Sequence, residues 1–163
     1  MNEALRTPNH EYFVELRLYA DSLTPSEITR YLCLQPTNSS DGRAVRRDGT
    51  SVRPFWGYGP LDEDGCPVKW ESLEQGLDFL LGCIAPVRTK ILEISQSVAG
   101  IWWCGHFQTS FDGGPTLSSN VLAEIASYGL PLFIDNYFTP TTETGVSATA
   151  CRYSNSPCDD STG

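Results

Sequence analysis

The sequence contains no uninterrupted apolar run near the roughly 18 residues a membrane-spanning helix needs, and its opening, MNEALRTPNHEY, lacks the apolar stretch of a secretory leader. The expectation is a soluble protein of the cytoplasm, or of the host cytoplasm if a phage carries the gene, with no membrane partner. Positive charge is scarce: 11 Lys and Arg stand against 20 Asp and Glu, a formal net charge of -9. Such a surface repels a phosphate backbone, which argues against direct contact with nucleic acid. The chain also lacks a Gly-x-Ser-x-Gly elbow, a Gly-Lys-Ser/Thr phosphate loop, a dinucleotide glycine pattern and a His-Glu-x-x-His pair, so the common signatures of hydrolases, NTPases, dehydrogenases and zinc peptidases are missing.

Metal-ligating chemistry is equally thin. There are only two histidines, His10 and His106, and none of the six cysteines (Cys33, Cys66, Cys83, Cys104, Cys151, Cys158) forms a Cys-x-x-Cys pair. In a reducing compartment these cysteines read as free thiols, with Cys33, Cys83 and Cys104 as small apolar core residues. Asp62, Glu63, Asp64 and Gly65 have the acidity of a calcium loop without its ligand spacing, and read as a solvated turn. Neither a metal nor a cofactor is expected.

What is present is enough for one domain: 163 residues can enclose a core without staples. In EYFVELRLYA the residues Tyr12, Val14, Leu16, Leu18 and Ala20 alternate with Phe13, Glu15, Arg17 and Tyr19, the pattern of a half-buried strand. LTPSEITRYLCL follows, with Thr24 as N-cap, Pro25 at the first helical position and Glu27 closing a capping box. Asp48-Gly49, the usual type I′ pair, predicts a hairpin or a strand with an irregular entry between a short basic run and a run holding Val52, Phe55 and Trp56; Arg43, Arg46, Arg47 and Arg53 offset the acidic surface locally.

WESLEQGLDFLLGCIAP has apolar residues at threes and fours up to Pro86, and a second short helix is predicted from about Val87 to Ser95. GIWWCGHFQTSFDGG predicts a strand from Ile101, an Asp-Gly-Gly-Pro turn, a helix over 119–127, and a closing segment LPLFIDNYF.

Strand, helix and leucine-proline exit recur in the same order near both ends of this stretch, an internal duplication of a strand-helix-strand unit. The expected fold is therefore α+β: a ferredoxin-like two-layer sandwich with an antiparallel sheet and helices on one side, made from two strand-helix-strand units with a helical segment inserted between them. Residues 1–10 read as an extension, 11–138 as the domain, and 139–163, rich in Ser, Thr and Pro, as a tail.

Period-two geometry places Trp102, Cys104, His106 and Gln108 on one side of their strand and Ile101, Trp103, Gly105 and Phe107 on the other. Cys104 and His106 share a side at roughly 6.5–7 Å, too far for a direct thiol-imidazole hydrogen bond, so they read as packing residues. Phe13 and Tyr19 are expected beside Trp102 and His106 on an aromatic face that is either open for binding or covered by the inserted helices or the tail, and Trp56 and Tyr58 are grouped with Trp102, Cys104 and His106 around a candidate pocket. A second candidate contact surface is the acidic group Asp62, Glu63, Asp64, Glu71, Glu74 and Asp78.

The functional expectation is a non-catalytic acidic binding protein of the inhibitor, immunity or counter-defence type. Its expected partner is a basic protein such as a nuclease or nucleic-acid-binding complex, with a homodimer as another form of association. The alternative is a small-molecule-sensing or enzymatic domain with a pocket near Trp102, Cys104 and His106.

Several stretches together, LTPSEITRYLCLQPTNS, the Gly-Arg pair, RPFWGYG, SLEQGLDFLL and LSSNVLAEIASYGLPLFIDNY, resemble the bacterial and phage-borne domain-of-unknown-function 4279 family from about Tyr12 to Phe138. The resemblance implies a small α+β domain without an established activity or cofactor, and carries over no site.

Overall fold

Alternation in the first strand decides which side of the sheet the helices cover. The computed structural model describes residues 10–139. The rest of the N-terminal extension and of the tail, with Cys151 and Cys158, lies outside them. The elements run β1 (His10–Tyr19), α1 (Pro25–Leu32), β2 (Asn38–Ser40), β3 (Phe55–Tyr58), α2 (Leu73–Ile84), a 3-10 turn (Ala85–Val87), α3 (Arg88–Ile94), β4 (Gly100–Gln108), α4 (Ser119–Ala126) and β5 (Leu132–Phe138).

Helices α1, α2 and α4 start where side-chain chemistry provides for their free N–H groups, while α3 continues from the 3-10 turn without a side-chain cap. Thr24 and Glu27 form the expected capping box on α1, and Ser72 and Ser118 accept from the first turns of α2 and α4. Among the described residues α1 also ends on the single non-glycine with a left-handed backbone, Cys33 at φ 55°. Glu74 on α2 accepts the Ser118 backbone N–H at 2.9 Å, tying the start of α4 to α2.

The sheet order is β2-β3-β1-β4-β5. β1 lies antiparallel to both β3 and β4, and β2 antiparallel to β3, so the first four strands have the ferredoxin order, with α2 and α3 spanning from β3 to β4. The two-layer α+β sandwich is thus present, with two differences in detail. The α2–α3 segment, expected as an insertion, is the second crossover of the sandwich itself. The sheet, expected antiparallel, is mixed, because β5 runs parallel to β4. A parallel neighbour needs a crossover, and α4 is that crossover.

Both β1-α1-β2 and β4-α4-β5 are strand-helix-strand units whose strands run the same way; in the first, β3 lies between the strands, and in the second they touch. The Asp48-Gly49 hairpin also differs from its predicted type. The turn closes from Gly49 N–H to the Arg46 carbonyl, and only Gly49 has positive φ, so Asp48 does not adopt the I′ geometry.

Tyr12, Val14, Leu16 and Leu18 of β1, Trp56 of β3, and Trp102 and Cys104 of β4 enter one core with Ile28 and Leu32 of α1, Leu77, Leu80 and Ile84 of α2, Ile91 of α3 and Val121 and Ile125 of α4. Gly76 lets α2 come close, because a Cβ there would lie 3.0 Å from the Trp70 ring and 3.1 Å from Val14. Trp70 itself extends the sheet beside β1, exchanging two backbone hydrogen bonds with Tyr12 at 2.8 and 2.9 Å. All the helices contribute to the core on this one face, and no described element packs on the other.

Candidate functional site

The uncovered face follows from the register. Residues directly opposite one another on neighbouring strands share a side, so Phe13 lies with Gly105, Glu15 with Trp103, Arg17 with Ile101 and Gly57, and Tyr19 with Phe55. On β5 the same side carries Phe133, Asp135 and Tyr137, and on β2 Asn38 and Ser40. The rings meet as ordered pairs: Phe13 edge-on to Phe107 at 5.2 Å, and Phe107 stacked on Tyr137 at 4.6 Å. Gly105 makes room for them, since a Cβ there would lie 2.7 Å from the Trp103 ring and 3.1 Å from Phe107.

A charged pair sits among these rings. Arg17 Nε donates to Glu15 Oε1 at 2.6 Å, and Asn38 Nδ2 donates to Glu15 Oε2 at 3.2 Å. The Arg17 guanidinium lies 4.1 Å from the Trp103 ring centre and 5.4 Å from that of Phe55, close enough for cation–π attraction. Glu15 is only 9 % exposed. A carboxylate so far out of water requires its hydrogen bonds, and the two it receives come from fixed neighbours.

The second arrangement lies on the helix-covered side at the end of the sheet. His106, 3 % exposed, stacks on Tyr12 at 4.6 Å, faces His10 Nδ1 through Nε2 at 2.9 Å, and meets Asn136 Oδ1 through Nδ1 at 2.8 Å. His10 Nε2 in turn donates to the Asp112 carbonyl at 2.7 Å. This chain ties β1, β4, β5 and the loop after β4 together. His10, the last residue of the expected N-terminal extension, is brought to His106 across 96 positions by the antiparallel β1–β4 pairing.

These contacts relocate several candidate residues. Phe13 and Tyr19 lie on the uncovered face. Trp102 and His106, expected beside them, lie on the opposite, covered side, paired with Leu16 and Tyr12. Trp56 is fully buried with its Nε1 donating to Thr29 Oγ1 at 3.1 Å, and Tyr58 stacks beside it at 6.2 Å against the core. Trp102, Cys104 and His106, the residues of the alternative pocket, are all buried.

The acidic group is split between structural and exposed roles. Asp62 Oδ1 accepts from the backbone N–H of Asp64 and Cys66 inside its own turn, and Glu74 is engaged with Ser118. Glu63, Asp64, Glu71 and Asp78 are exposed. Among the described residues no group of His, Cys, Asp and Glu could hold a metal ion, and no helix is long and apolar enough to cross a membrane.

Cys104 is no nucleophile at neutral pH, because burial pushes its thiol up to about 12 from an ordinary value of 9.0. The linkage is directional. The unfolded chain releases this proton near the ordinary value while the folded chain keeps it, so the stability held below pH 9.0 falls as pH rises toward about 12. The expected slope is about 1.4 kcal/mol per pH unit. Urea unfolding of wild type and Cys104→Ala between these limits checks it; the variant is expected to lose this component of the slope, and parallel curves would contradict it.

An open cleft between α1 and α3, lined by Leu23, Tyr31, Cys33, Lys90 and Glu93 among others, presents the exposed Cys33 thiol with Lys90 Nζ 3.3 Å away. The cleft belongs to the helix layer and borders none of the aromatic face.

By class, then, the chain is a ferredoxin-like α+β sandwich with an added parallel edge strand and an aromatic sheet face built around an arginine–glutamate pair. The family described as Domain of unknown function (DUF4279) matches residues 10–139, and the chain belongs to that family. No curated protein and no solved structure matches it.

Proposed function

We propose that this chain is a non-catalytic binding protein, of the inhibitor or immunity type, that docks its uncovered sheet face onto a protein partner in the cytoplasm. The observation that carries this reading is the uncovered face itself: Phe13, Tyr19, Phe55, Trp103, Phe107, Phe133 and Tyr137 surround Arg17 and Glu15, with no described element packed over them. Aromatic residues and arginine are the types enriched where proteins bind one another, and a sheet face of this kind offers them on a rigid frame. The formal charge of -9 adds long-range attraction for a basic partner such as a nuclease, acting on encounter rate before contact.

The test is a photo-crosslinking residue at position 133, compared with one at position 79. Phe133 on the uncovered face and Phe79 on the helix layer are equally open, at 49 % and 51 %. In its own host the protein is expected to crosslink to another protein from position 133 and not from 79. A crosslink to a second copy of the chain would report a homodimer.

A further inference from the structure

Arg17 holds most of its hydrogen-bonding capacity in reserve. A guanidinium carries five N–H donors. The Nε–H is spent on Glu15, and no described residue accepts from the four at the forked end. The stem is nevertheless fixed: Glu15 is held by Asn38 from its other oxygen, and the guanidinium is flanked by Trp103 and Phe55. Arg17 stands on the uncovered face, and its side chain is 19 % exposed.

A fork held in this way is pre-organised for a planar anion with two acceptor oxygens, the geometry in which arginine binds most strongly. Local charge selects among such anions. Glu15 and Asp135 share this face and the chain carries -9, so a doubly charged phosphate meets more repulsion than a singly charged carboxylate. The rings around the fork favour apolar groups on either side of the anion. The clefts between α1 and α3 and beside Ala20 and Pro54 lie elsewhere, so Arg17 belongs to an open sheet surface that suits a protein segment better than an enclosed small molecule.

We infer that Arg17 is the seat for one carboxylate, an aspartate or glutamate side chain that a protein partner presents between apolar residues lying on Phe13, Phe107 and Phe133. The inference rests on the reading that this face docks a protein. It is compatible with a partner that is basic overall, because net charge acts on approach over distances up to about the 8 Å screening length of physiological salt, whereas the fork acts at contact.

The test is a titration of the full isotope-labelled chain, reading the Arg17 Nε–H and Trp103 indole N–H resonances. The probes are capped tripeptides, acetyl-Phe-Glu-Phe-amide and its Gln and Lys counterparts, with hydrocinnamate and phenyl phosphate as free small anions. The expected result is binding of the Glu peptide at low millimolar concentration, about tenfold tighter than the Gln peptide. That preference is expected to vanish in Arg17→Lys, which keeps the charge and loses the fork. It is also expected to vanish in the double variant Glu15→Gln/Arg17→Gln, which leaves no unpaired buried charge.

Equal binding of the Glu and Gln peptides, or preference for Lys, overturns the carboxylate and leaves the docking face standing. Hydrocinnamate binding as tightly as the peptide, with the same dependence on Arg17, overturns the protein source. Phenyl phosphate winning overturns the choice of anion. No peptide moving either resonance overturns the inference outright, and crosslinking from position 133 then decides the docking face separately.

Discussion

Replacing Trp102 with alanine is expected to lower the free energy of unfolding by about 3–5 kcal/mol, the range for removing a fully buried large aromatic side chain. Trp102 lies opposite Leu16 on β1 and Leu132 on β5, and its ring meets Tyr128 edge-on at 5.3 Å. It is fully buried, so alanine leaves a cavity between the sheet and the helices that neighbouring side chains fill only in part. Its indole N–H is buried with no hydrogen-bond partner among the described residues, an arrangement that costs about 1–3 kcal/mol. Trp102→Phe removes that N–H while keeping a ring, so it is expected to cost clearly less than Trp102→Ala. Urea unfolding of the two variants checks both values. A loss under about 1 kcal/mol for Trp102→Ala would mean that the helices do not rest on this side of the sheet.

Gly57→Val is expected to cost about 1–3 kcal/mol or somewhat more, although valine is a better strand former than glycine. The added Cβ would lie 2.5 Å from Glu15 Oε1 and 2.9 Å from the Asn38 backbone carbonyl. The carboxylate would have to swing away from Arg17, or β2 would have to retreat from β3. Either movement undoes the link from Asn38 through Glu15 to Arg17. Thermal unfolding measures the cost, and the Arg17 Nε–H resonance reports whether the guanidinium has lost its anchor. Wild-type stability with an unmoved resonance would show that the pair does not depend on this space.

Much of the fold was legible because local chemistry specified it. Thr24, Pro25 and Glu27 announce α1, the spacing of Leu73, Leu77, Leu80, Leu81 and Ile84 announces α2, and strict alternation announces β1. β2 was not legible, because Asn38, Ser39 and Ser40 have no apolar alternation and become a strand only through pairing with β3. The parallel edge was obscured because reading a duplication emphasised what β1-α1-β2 and β4-α4-β5 share. The difference between them is the strand β3 that comes between one pair and not the other.

The faces of β4 show the limit more sharply. Period two correctly separated Trp102 from Trp103, but it does not say which side is covered. A side carrying Trp102, His106 and Gln108 suits an open face as well as a covered one. The protein buries the imidazole, having supplied His10 and Asn136 for its two nitrogens from 96 and 30 positions away. The Glu15–Arg17 pair was visible as two charges on one side of β1. Its importance came from Gly57, Asn38 and Trp103, which sequence distance hides and strand pairing brings together.

Crosslinking from positions 133 and 79 in the native host tests the central claim most directly, because the two sites match in exposure and lie on opposite sides of the sandwich. Protein adducts confined to position 133, and reduced by Arg17→Lys, are the predicted result. Adducts confined to position 79 would place the working surface on the helix layer and contradict the account.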